Sequence, residues 1–172
     1  MTNPDTIEAL LADITAELRK LEQLTEKINQ MQNYWEDGEL KSTVEPLIFY
    51  ESLSLKLHNF YTGCERIFRY IASDLNGGIP SSSDWHRRLL QRMEQSYLDR
   101  PPVITEKTSQ HLKDFLGFRH VVRNLYGYEL EEDRLKQLLQ QYPSAWSHFQ
   151  QDILQFCQWL RELKQYLESN FG

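Results

Sequence analysis

Apolar residues recur at Ile7, Leu11, Ile14, Leu18, Leu21 and Ile28 in alternating steps of four and three, with Thr25 as the one lapse. That spacing returns to one side of an α-helix and draws a narrow seam of the coiled-coil kind. Asn3 suits the N-cap, Pro4 the first helical position and Asp5 the first turn, where unpaired amides favour each of them. The pattern predicts a long amphipathic helix over about residues 1–36. A helix about 45 Å long with one apolar stripe needs a partner along its length. The chain is therefore restricted to folds in which long helices lie side by side. An intramolecular bundle is the expected arrangement, and a dimer seam through Leu11 and Leu18 is the alternative.

The rest of the chain repeats the helical pattern. Glu36-Asp37-Gly38 interrupts it, and a second helix is expected from about Glu45 to Leu75. Its apolar face is wide (Leu47, Leu53, Leu55, Leu57, Phe60, Tyr61, Cys64, Ile67, Phe68 and Ile71), which makes it central to the core. Asn76-Gly77-Gly78-Ile79-Pro80 stops it, and the run Ser81 to Asp84 offers caps for a third helix from Trp85 to about Leu98. Arg100-Pro101-Pro102 ends that one. A fourth helix opens at Thr105 and runs to Gly127. A short fifth covers Glu131 to Gln141, and a sixth starts at Pro143-Ser144. No strand pattern stands out. The expected fold is all-α, a bundle of about four long helices plus one or two short ones, forming a single domain over 1–172.

The chain has 172 residues, enough for one domain with a substantial core. Its two cysteines, Cys64 and Cys157, lack metal-ligand spacing, so two buried free thiols are expected. No apolar run has the length of a membrane span, and the N-terminus lacks the features of a signal peptide, so a cytoplasmic location is expected. The net charge of −6 argues against a protein that coats nucleic acid over its whole surface.

There is no phosphate-binding Gly-rich loop, no zinc spacing and no His-Glu-x-x-His pattern, so neither a metal nor a cofactor is expected. The unusual stretch is residues 118–128. On a helix, Arg119, Arg123 and Tyr126 fall within about 60° of one another, and His120 and Asn124 lie together roughly 120° round. Upstream, His86, Arg87, Arg88 and Arg92 are also basic. Between His86 and Asn124, eight arginines and lysines stand against four carboxylates, a local positive excess inside an acidic chain. That asymmetry points to an anionic ligand. A structural reading is also open, because arginine near a helix C-terminus and tyrosine beside glycine both serve to end helices.

Arg119, four residues, Asn124, one residue and Tyr126 resemble the Arg-x4-His-x-Tyr signature of HEPN-domain ribonucleases. The closest likeness is to HepT-like toxins that pair with a MNT-type nucleotidyltransferase antitoxin. Residues 57–63, 65–68 and 84–90 extend it over most of 50–160. The resemblance implies a dimerising helical bundle whose signature helices share a composite cleft, and metal-independent RNA cleavage there. It assigns Arg119 to the charge that builds on phosphate and Tyr126 to modification with AMP by the antitoxin. It also makes Arg123, Arg87, Arg88 and His86 candidates for contact with the RNA, which could be tRNA or mRNA. Asn124 departs from the family histidine, and an amide cannot move protons as a general acid or base. Three readings follow. His120 supplies the imidazole; or the site works weakly through positioning and charge; or catalysis is lost and the chain is a silent module that binds a partner protein, a nucleotide or RNA.

Overall fold

A computed structural model describes residues 3–38, 43–124 and 132–171, the side chains of residues 119–124 and 171 excepted. Among the described residues there are five helices: α1 (Pro4–Glu36), α2 (Pro46–Leu75), α3 (Trp85–Glu94), α4 (Glu106–Asn124) and α5 (Glu132–Phe171). The all-α bundle with four long helices and one short one follows the periodicity of the sequence.

Helix α1 begins as its first residues dictate. The Asn3 side chain accepts a hydrogen bond from the Thr6 N–H at 2.8 Å, with Pro4 next and Asp5 in the first turn. Its buried face holds Ile7, Leu10, Ile14, Glu17, Leu18, Leu21 and Ile28, packed on α2 and α5 of the same chain. Leu18 is thus covered intramolecularly and Leu11 is only partly buried, so the bundle itself takes up the seam. Helices α1 and α2 approach closely at Gly63, where a Cβ would stand 2.5 Å from Leu21 Cδ2.

Helix α2 is central, touching every other helix. Phe60 sits at the middle of the core, edge-on to Phe115, Tyr142 and Trp146, with ring centroids 5.2, 4.9 and 6.3 Å away. Burial of such rings is worth about 1.5–3 kcal/mol each. Leu47 and Leu55, expected in this face, are exposed instead. Cys64 and Cys157 are free and buried, and burial pushes both thiols up in pKa.

Helix α3 is shorter than its sequence suggests. It stops at Glu94, and residues 95–100 form a tight turn in which Tyr97 and Arg100 exchange backbone hydrogen bonds of 3.0 and 2.9 Å. The reason is Arg100. Its buried guanidinium donates to Asn76 Oδ1 and to the carbonyls of Pro101, Arg92 and Gln95, at 2.6–3.1 Å, and draws the chain back onto the end of α2. Arg100 therefore contributes to the interior and must be subtracted from the basic surface.

Helix α4 opens after Thr105, whose N–H and hydroxyl both donate to Asp152 of α5 at 2.8 and 3.0 Å. The two helices expected around Pro143 are one, α5, with Pro143 inside it. A proline there removes one helical hydrogen bond. Pro143 is exposed while Tyr142 and Ala145 on either side are buried, so core contacts hold the helix through the lesion on its outer side.

Candidate functional site

The signature residues lie at one end of the bundle. Arg119, His120, Arg123 and Asn124 belong to the last described turns of α4. Arg119 follows by one turn Phe115, which is anchored on Phe60. Tyr126 lies outside the described residues, as does the expected end of the helix at Gly127.

Two features near this helix were not read from the sequence as parts of a site. The first is a polar stripe on α2. His58, Tyr61, Thr62 and Glu65 fall within about 100° of arc, on a helix otherwise built for the core. Glu65 is buried and its Oε2 lies 2.5 Å from Nδ1 of His86 at the start of α3. Glu65 therefore looks toward α3, and α4 packs against both α2 and α3. Spacing of 58, 61, 62 and 65 on an apolar helix was the available signal. The second is Arg134. A Cβ on Gly117 would stand 2.9 Å from its Nη2, so a guanidinium from the first turn of α5 lies against α4 two residues before Arg119. The lone Gly117 inside a helix was the only sequence trace of that approach.

The RNA-contact candidates on α3 divide. The His86 ring is turned inward, held by Glu65 and lying 3.5 Å from the Trp85 ring centroid. Arg87 and Arg88 reach solvent. Both bond to Asp84, at 3.0 and 3.1 Å, so one carboxylate aligns two guanidinium groups. The Ser82 hydroxyl and then these arginines hold the Asp84 carboxyl down at a pKa of about 2. With Gln91, Arg92 and Gln95 they line an open depression of about 490 Å³ that keeps a net positive charge. The basic bias of the sequence thus becomes one exposed face of α3, whereas the signature occupies the far end of α4.

Among the described residues, no group of three His, Cys, Asp or Glu is placed to hold a metal ion, and no helix is long and apolar enough to cross a membrane.

The described residues form an all-α bundle of five helices, the fourth carrying Arg119, His120, Arg123 and Asn124, and comparison with known proteins gives the family. Residues 52–160 match the HepT-like protein family, and the chain belongs to it. The match spans α2 through most of α5 and contains Arg119, Asn124 and Tyr126. Among solved structures, the chain is similar to one from a mutant of the toxin–antitoxin pair MntA-HpeT. The TM-score is 0.51 and the identity 23%, over 87% of this chain and 95% of that one. At that identity the likeness speaks for the fold. No curated protein matches the sequence.

Proposed function

We propose that this chain is the toxin of a toxin–antitoxin pair, a metal-independent endoribonuclease held in check by a nucleotidyltransferase antitoxin. The observation that carries the reading is the Arg-x4-Asn-x-Tyr signature of residues 119–126 inside a match to the HepT-like family. The fold shared with a member of a toxin–antitoxin complex supports it. In the proposed reaction the 2′-hydroxyl of RNA loses its proton and attacks the adjacent phosphate, and the bond from phosphorus to the 5′-oxygen of the next nucleotide breaks, leaving a 2′,3′-cyclic phosphate and a reprotonated 5′-hydroxyl. Arg119 stabilises the charge that develops, Asn124 holds an oxygen by hydrogen bonding, and His120 carries the proton that Asn124 cannot. Two copies of the chain bring their α4 ends together to form the cleft. The outward arginines of α3, Arg87 and Arg88, together with Arg123, attract the phosphate backbone, and His86 positions the start of α3. Tyr126 accepts AMP from the antitoxin, and the bulky anion then blocks the cleft. The site of action is the cytoplasm.

A second reading is favoured by one specific residue. Asn124 stands where the family has histidine, and it supports a silent module that binds RNA, nucleotide or a partner protein without cutting. Incubation of total tRNA with the purified protein in EDTA separates the two. Discrete cleavage by the wild type and none by Arg119→Ala is the expected result. No cleavage by protein of unmodified intact mass would transfer the reading to the silent module.

A further inference from the structure

The turn at residues 95–100 carries a feature that the RNA site does not use. Leu98, at its apex, has φ 51° and is 86% exposed. The left-handed region is costly for a leucine, and no burial compensates for it. The turn cannot relax, because Arg100 clamps it through four oxygen acceptors. Tyr97 beside it is 41% exposed, and Ile79 is exposed in the neighbouring loop, which Arg92 reaches through the Gly78 carbonyl at 3.4 Å. A rigid apolar knob held out into water is a preorganised contact element.

The segments on either side of the knob in the chain differ in charge. Before it comes the cationic depression lined by α3 as far as Arg92 and Gln95. After it come Pro101, Val103 and Ile104, which with Phe156 and Trp159 line a groove of about 610 Å³. Glu94, Glu106 and Asp152 also line that groove; Glu94 is paired with Lys113 at 3.8 Å and Asp152 accepts from Thr105, which leaves Glu106 as the carboxylate turned to a partner. A segment whose chain order runs from arginines through an apolar knob to a carboxylate-lined groove is complementary to a second copy related by a two-fold rotation. Each copy's positive side then faces the other's negative side.

We propose that this surface joins two copies of the chain in an isologous contact. Tyr97 and Leu98 of one copy enter the groove of the other, and Arg92 of each faces Glu106 of its mate. The contact lies at the N-terminal end of α4, about 27 Å along the helix from Asn124, so it is separate from the signature end and stands whether or not the chain cuts RNA. It adds a second kind of subunit contact to any pairing made at the signature.

Light scattering of the full-length protein tests the proposal through the mass in solution. Leu98→Asp is expected to halve the wild-type mass. The fold is retained, because the side chain is exposed and aspartate enters the left-handed region more readily than leucine. Leu98→Gly is expected to raise the melting temperature by releasing strain, and to lower the mass as well. Arg92→Glu dissociates the contact, and Arg92→Glu combined with Glu106→Arg restores it. A wild-type mass that Leu98→Asp leaves unchanged, or a wild type that is monomeric at every concentration, overturns the proposal. Capture of a different, acidic protein by a monomeric wild type overturns it too, by giving the knob another occupant.

Discussion

Glu65 Oε2 and His86 Nδ1 lie 2.5 Å apart, joining the middle of α2 to the first turn of α3 with the side chains 5% and 13% exposed. A carboxylate this deep needs a donor, and an imidazole that turns Nδ1 to it can supply one. The contact fixes where α3 starts and so where Arg87 and Arg88 stand. His86→Ala is expected to cost about 2–3 kcal/mol, because a buried carboxylate loses a donor. Urea unfolding measures this. A cost below about 0.5 kcal/mol would mean that water reaches Glu65 as well as the imidazole does.

Gly63 predicts a second cost, and a way to remove it. A Cβ there meets Leu21 Cδ2 at 2.5 Å, and Leu21 is buried and has little room to move. Gly63→Ala gains about 1 kcal/mol of helix propensity. Overpacking costs about 1–3 kcal/mol and is expected to win, lowering stability. In a Leu21→Ala background the same substitution meets only ordinary contact with Glu17 Oε1, at 3.5 Å, and becomes stabilising. A double-mutant cycle by thermal unfolding reads the reversal of sign, and additive effects would sink the argument.

Arg100 predicts that charge alone cannot do its work. Its planar head serves Asn76 Oδ1 and three carbonyls from different directions, and burial lowers its pKa without a carboxylate to compensate. Arg100→Lys keeps the charge but supplies a single compact ammonium that cannot span the four acceptors. Both Arg100→Lys and Arg100→Ala are expected to lose about 2–4 kcal/mol, since buried acceptors are stranded either way. Hydrogen exchange should speed up over residues 95–100 in both variants. Full stability in the lysine variant would show that charge, and not geometry, closes the turn.

How legible the molecule was follows from where each instruction resides. The start of α1 is written locally, in Asn3, Pro4 and Asp5, and the structure uses all three. The apolar period placed α2 and the Gly77-Gly78 stop placed its end, both glycines taking positive φ. The C-terminus of α3 is not legible locally because Met93 and Leu98 continue the helical pattern, while the decisive residue, Arg100, acts through a tertiary contact with Asn76. Helix α5 reads as two in the sequence because Pro143 is a strong local breaker, and packing of Tyr142, Trp146 and Phe149 on Phe60 overrides it. The same division runs through the candidate site. Arg119 and Asn124 were legible as a motif, whereas Glu65 and Arg134 acquire meaning only once α2, α3 and α5 are laid against α4.

The last prediction concerns pH. His111 of α4 and His148 of α5 stack with centroids 5.5 Å apart and planes 18° from parallel, and His148 Nδ1 is bonded to the Ser144 carbonyl at 2.6 Å. Burial first, then the charges of His148 and Lys107, lower the pKa of His111, and Asp114 only partly opposes them. The folded-state value thus lies below the unfolded one of about 6.5. As pH falls, the unfolded chain takes up this proton before the folded one does. The stabilisation is therefore complete above about pH 6.5 and is lost as pH drops through the folded value. His111→Gln is expected to flatten the decline of melting temperature between about pH 7 and 5. His148→Gln should flatten it less, because burial, the larger cause, remains. Equal slopes in wild type and His111→Gln would show that the pair carries no pH dependence, and a larger effect of His148→Gln would mean that repulsion between the rings outweighs burial.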